Sequence, residues 1–127
     1  MTATSHSESD CADFVLAVLE RLDDCEASAE TVDDAFGLLA DKRRRLLLQV
    51  MRTYGEAMTL PDAAEEVAVR ETGRKVTEIS AERVHETYIS LYHDHLPRLV
   101  NAGLLEYDQE RDLVSPRAFR ESDTRED

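Results

Sequence analysis

Residues 80–115, SAERVHETYISLYHDHLPRLVNAGLLEYDQERDLVS, decide the fold. Ser80 stands where a helix cap belongs. Behind it Val84, Tyr88, Leu91, Tyr92, His95, Leu96, Leu99 and Val100 recur at steps of three and four, the spacing of one inward helix face. Pro97 falls inside this pattern and lacks an N–H, so the His93 carbonyl loses its donor and a kink is expected there. Gly103 offers a left-handed stop. After it LLEY, DQER and DLVS read as strand, turn and strand, a hairpin of about ten residues.

Moving toward the N-terminus, Thr59 and Asp62 form a variant capping box with Pro61 in the first turn, where a missing amide is tolerated. The helix they open buries Leu60, Ala63, Ala64, Val67 and Ala68, and Gly73 ends it. Asp41 caps KRRRLLLQVMRTYG (42–55), with Leu46, Leu47, Val50, Met51 and Tyr54 inward and Gly55 as the stop. Thr31 begins a short helix that buries Val32, Phe36 and Leu39. Asp10 caps a further helix striped by Phe14, Val15, Val18, Leu19 and Leu22. The expected class is mainly α with a small β-hairpin, in the plan of a winged helix-turn-helix. The 80–102 helix would be the reading helix and the 104–115 hairpin the wing. The expected organisation is a disordered acidic start (1–9), a flanking helix and acidic loop (10–30), the winged domain (31–115) and a charged tail (116–127).

The chain has 127 residues and 42% hydrophobic content, which suits one ordinary core. Its charge is unusual: 28 acids against 15 bases give −13, and only Lys42 and Lys75 are lysine. Residues 1–34 carry ten acids and one arginine, whereas 35–114 hold fourteen acids and eleven bases. An acidic coat nearly free of lysine suits a protein hydrated in concentrated salt, where screening shrinks to about 3 Å at 1 M. The expectation is a halophilic cytoplasm, against an acidic mesophile protein with disordered ends. No apolar run reaches the ~18 residues of a spanning helix, so no membrane role is expected, and the start lacks the pattern of a signal peptide. Cys11 and Cys25 match neither a redox pair nor a zinc set and read as free, semi-buried thiols, an inter-subunit disulfide being the alternative that a reducing cytoplasm disfavours.

Three stretches carry a family likeness: DAFGLLADKRRRLLLQVM (34–51), TLPDAAEEVAVRE (59–71) and YISLYHDHLPRLVNAGLLEYD (88–108). Together they resemble a small winged-helix family widespread in haloarchaea, whose function is mostly unassigned. HLPRLVNAGLLEYD (95–108) is also similar to the end of the reading helix and start of the wing in ArsR-type repressors. The resemblance spans roughly residues 33–115 and implies the fold. It implies DNA binding only as the default use of such folds.

On that reading the long helix presents Arg83, Thr87, Ser90 and Arg98 to double-stranded DNA, since such side chains suit base edges and phosphates. A solvated helix face is the competing reading, because Glu86 and Asp94 sit badly against phosphate. Arg43 and Arg44 belong to a cluster of four cations at a helix N-terminus, where they oppose the macrodipole. They contact phosphate, or they pair with Asp33, Asp34 and Asp41 and join two helices. Arg111, at the wing turn beside Gln109, is the expected phosphate or minor-groove probe.

His93 and His95 diverge by about 200° on a helix and cannot share a metal; His95 reads as a hydrogen-bonded core histidine. No metal or cofactor is expected. Without a Walker loop, GxSxG or HExxH, no enzyme is expected either. The expected function is a transcriptional regulator that reads DNA as a homodimer with the 80–102 helix and the 104–115 wing; residues 10–22 either form the dimer contact or fold back onto their own domain. The alternative is a winged-helix protein-interaction module with an acidic surface that does not bind DNA.

Overall fold

The computed structural model describes residues 2–116, with side chains from Asp10 onward. The order is α1 (Thr2–Asp23), α2 (Ala29–Leu39), α3 (Lys42–Tyr54), β1 (Met58–Thr59), α4 (Leu60–Thr72), a 3₁₀ turn (Val76–Glu78), α5 (Ala81–Ser90), a π-helical turn (Leu91–His95), α6 (Leu96–Asn101), β2 (Glu106–Asp108) and β3 (Leu113–Ser115). The described residues are mainly helical with one small antiparallel sheet. They divide into two compact units, one up to Asp34 and one from Ala35 onward. The charged tail expected at 116–127 lies, past Pro116, outside the described residues.

In the first unit α1 starts earlier than expected, so the backbone of the segment read as a disordered start is helical from Thr2. Once the 10–22 stripe has nucleated a helix, each added residue fixes one more backbone bond at little cost. Phe14, Val15, Leu16 and Leu19 are exposed, and so are Cys11 and Cys25, against the expectation of semi-buried thiols.

The core of the second unit is made by α3, α4, the π turn, α6 and the strands. Leu46, Leu47, Val50 and Met51 from α3 meet Leu60, Ala63, Ala64 and Val67 from α4; Leu91, Leu96, Leu99, Leu105 and Val114 complete the cluster. The expected caps set its helix ends. Asp41 accepts the amides of Arg43 and Arg44 at 2.8 and 3.2 Å, Thr59 accepts that of Asp62, and Ser80 accepts that of Arg83. Gly55 and Gly73 close α3 and α4 at φ +68° and +73°, where a Cβ would be strained. Two expectations fail: α2 buries none of its residues, leaving Phe36 and Leu39 exposed, and Tyr54 lies outward at the last turn of α3.

Pro97 is accommodated by the π turn. The Leu96 amide donates to the Leu91 carbonyl, five residues back, so the helix gains one residue just before the proline. Leu91, His95, Leu96 and Leu99 all remain buried. The expected hairpin is present, with Glu106 opposite Ser115 and Asp108 opposite Leu113. It is not the whole sheet. β1 pairs with β3 through Met58–Val114 and Thr59–Leu113, giving the order β1-β3-β2. A two-residue strand leaves no alternation to read in a sequence.

Candidate nucleic-acid interface

α5 turns Val84, Thr87 and Tyr88 inward. Thr87 is fully buried, and its hydroxyl donates to the Arg83 carbonyl at 3.0 Å. Thr87 therefore cannot reach DNA, against expectation. Positions 84, 87, 88 and 91 form one i, i+3, i+4, i+7 face, and the threonine methyl fills a place read as polar. Glu82, Arg83, His85, Glu86 and Ile89 remain outward, with His93 exposed in the π turn; Ser90 is half-buried. Exposed Ile89 was not singled out from the sequence. Ile89 breaks the polar pattern of that face, which was the available signal.

The arginines fall into two groups. Arg83, Arg98 and Arg111 are 43%, 60% and 76% exposed. Arg83 lies 3.6 Å from Glu71 and 3.9 Å from Glu86, Arg98 lies 3.2 Å from Asp94, and Arg111 lies 3.7 Å from Asp108. Exposed pairs such as Arg83–Glu86, Arg98–Asp94 and Arg111–Asp108 contribute about 0–1 kcal/mol, so a phosphate can replace those carboxylates at small cost.

Arg43 and Arg44 are engaged differently. Arg43 grips Glu71 with two parallel hydrogen bonds, Nε to Oε2 at 2.9 Å and Nη2 to Oε1 at 2.7 Å, and both side chains are under 20% exposed. The hydrogen bonds from Arg43 hold the Glu71 carboxyl below its ordinary range. Arg44 donates to the Leu38 and Gly37 carbonyls, and Arg45 to that of Leu39. Cations that oppose the dipole of α3 thus satisfy the last carbonyls of α2, where positive charge is favourable. The partners are not Asp33 and Asp34. These two arginines serve the fold, and the acid that takes Arg43 stands 28 residues away in sequence.

The wing turn is fastened to the helix by Asp112, a residue not singled out from the sequence. Its φ is +54°, a left-handed value that aspartate tolerates better than most side chains. Its carboxylate accepts the Tyr88 hydroxyl at 2.7 Å and the Tyr107 hydroxyl, while its carbonyl accepts the Leu60 amide at 2.8 Å. Gln109 donates to the Tyr92 hydroxyl at 3.3 Å. The Tyr88 and Tyr92 rings stack 6.2 Å apart, and Tyr107 meets Tyr92 edge-on. Bonding to Asp112 raises the Tyr88 phenol; burial, then Asp112, raises that of Tyr107 strongly. One residue thereby ties β2, β3, α4 and α5 together and fixes Arg111 relative to the outward side of α5. Asp108 shapes the same turn by accepting the Glu110 amide at 3.1 Å. A groove of about 440 Å³ runs between the π turn, α6 and the wing, edged by Tyr92, His93, Asn101 and Gln109.

His95 is buried, with Nδ1 3.3 Å from Arg44 and Nε2 3.8 Å from both Asp41 and Asp94. Burial pushes its pKa down, against the pull of Asp41 and Asp94. Among the described residues no three His, Cys, Asp or Glu side chains are placed to hold a metal.

A family model described as a domain of unknown function, DUF7344, matches residues 36–115. The chain belongs to that family. The DUF7344 segment runs from the end of α2 to β3, so it contains the whole candidate interface and leaves α1 outside. No curated protein and no solved structure matches the chain.

Proposed function

We propose that the DUF7344 segment is a winged helix-turn-helix that binds double-stranded DNA as a homodimer and regulates transcription. The observation that carries this reading is the fastening of the wing turn to α5 through Asp112 and the tyrosine row. The element order supports it: α3, β1, α4, α5, then β2 and β3 as a hairpin beside β1. On this reading Arg83 and Ser90 approach base edges, Arg98 and Arg111 approach phosphates, and Arg43, Arg44 and Thr87 stay internal. Glu82 and Glu86 share the outward side of α5, so phosphates are met from its edges and from the wing. Their repulsion is screened in molar salt.

A specific observation favours the second reading, a protein-interaction module: Arg83, Arg98 and Arg111 each keep an acid beside them. The small free energy of exposed pairs is why DNA is preferred here. Selection of genomic fragments by the full chain in molar potassium chloride tests the choice. Recovery of a common, two-fold symmetric sequence is expected; recovery of no sequence above background overturns the DNA reading.

A further inference from the structure

We propose that α1 pairs with α1 of a second copy of this chain as a short parallel coil, with Cys11, Val15, Val18 and Leu22 as its seam. This names the interface of the homodimer invoked above, and it is testable without DNA. The first observation is a largely uncovered apolar side: Phe14 is 70% exposed, Cys11, Val15 and Leu19 are exposed with it, and Val18 and Leu22 are half-buried. The second is spacing. The four seam residues follow one another at steps of four, three and four, the heptad rhythm of paired helices, and Cys25 continues it just past the helix end.

The charges identify the occupant. Asp10, Asp13, Glu20 and Asp23 all fall on the outer heptad positions, away from the seam. The positions flanking the seam hold Ala12, Phe14, Leu19 and Arg21 instead. A basic partner helix would call for acids at those flanks, where partner choice is set. Identical helices need the reverse, since acids there would face one another across the seam. From Asp10 to Asp23 the acids thus stay clear of this one strip, and the seam begins at Cys11 because Glu8, on its N-terminal continuation, is charged. Orientation follows from the same flanks: a parallel pair sets Phe14 against Leu19 of the second copy, five residues on, whereas an antiparallel pair would set it near Arg21.

Sedimentation equilibrium of the full chain in high salt tests the pairing. Twice the mass of one chain is expected. Val18→Glu, which buries a charge in the seam, should weaken association by roughly tenfold or more. Asp13→Lys, on the outer face, should leave it unchanged. Circular dichroism melting guards against misfolding, because the second unit should keep its transition in Val18→Glu. In a Cys25→Ser variant, mild oxidation should give a reducible dimer through Cys11, whose copies face each other only in the parallel register. A monomer at every concentration, or a Val18→Glu protein that still dimerises, overturns the proposal. A dimer in which Cys11 does not cross-link overturns the parallel register.

Discussion

Replacing Asp112 should loosen the wing by an amount that can be divided into parts. Asp112→Ala removes the acceptor of two tyrosine hydroxyls and puts a Cβ-bearing residue without a local hydrogen bond at φ +54°. A hydrogen bond to a charged group contributes about 1.5–3 kcal/mol, but both tyrosines are only half-buried, so about 1 kcal/mol each is the better figure. The left-handed backbone adds about 1–2 kcal/mol for alanine. Asp112→Ala should therefore destabilise by about 3–4 kcal/mol, a fall in Tm of roughly 12–30 °C for a domain of this size. Asp112→Gly removes the backbone part and should cost about 2 kcal/mol, and Asp112→Asn, which keeps an acceptor and tolerates the conformation, about 1 kcal/mol. Urea unfolding followed by circular dichroism in high salt measures all three. An alanine variant within 0.5 kcal/mol of wild type, taken as roughly the noise of such comparisons, or a glycine variant worse than alanine, would refute the reasoning. The tyrosines supply an alkaline check. Both phenols titrate above their ordinary value of 10 in the folded chain, so their stabilisation is complete below that pH. It is lost as pH rises through the higher folded values. Phenolate absorbance should show Tyr88 and Tyr107 ionising late in wild type and earlier in Asp112→Ala.

The buried grip of Arg43 on Glu71 makes a second case. Arg43→Met should cost about 2 kcal/mol, and the double variant with Glu71→Met should recover most of it, because no charge is then left without its partner; a double-mutant cycle with no coupling would contradict this. Glu71 titrates below its ordinary 4.5 in the folded chain, so its contribution is present above that pH and lost as pH falls through the lower folded value. Acid unfolding should therefore begin at higher pH in Arg43→Met. With a net charge of −13, the chain should also melt at lower temperature in ~0.1 M than in ~2 M potassium chloride. Equal melting temperatures would remove the inference of salt adaptation.

Local signals were legible in the sequence and distant ones were not. Asp41, Thr59 and Ser80 cap the helices they were expected to cap, because a cap depends on residues two or three positions away. The inward faces of α3 and α4 followed from periodicity, apart from Tyr54 in the last turn of α3. The π turn was foreshadowed by Pro97, although a kink and a one-residue insertion leave the same trace in sequence. Thr87 was misplaced because a hydroxyl that bonds its own helix counts as apolar in packing. The partners of Arg43 and of the wing turn were hidden by separation: Glu71 is 28 residues from Arg43, and Tyr88 is 24 from Asp112. Strand β1 exists only because Val114 and Leu113 lie beside it.

The most direct measurement is an anisotropy titration of a selected DNA site in potassium chloride from ~0.2 to ~3 M, across which the screening length drops to a few ångströms. Binding should first strengthen as salt screens the acidic coat from phosphate. Arg83→Ala should reduce discrimination between sites by about 1–3 kcal/mol, while Arg111→Ala should weaken all sequences alike and flatten the salt slope. Steep, monotonic weakening would mean that counterion release dominates and that the acidic coat has been misread. Absence of binding at every salt concentration would contradict the central claim and leave an acidic protein-interaction module in its place.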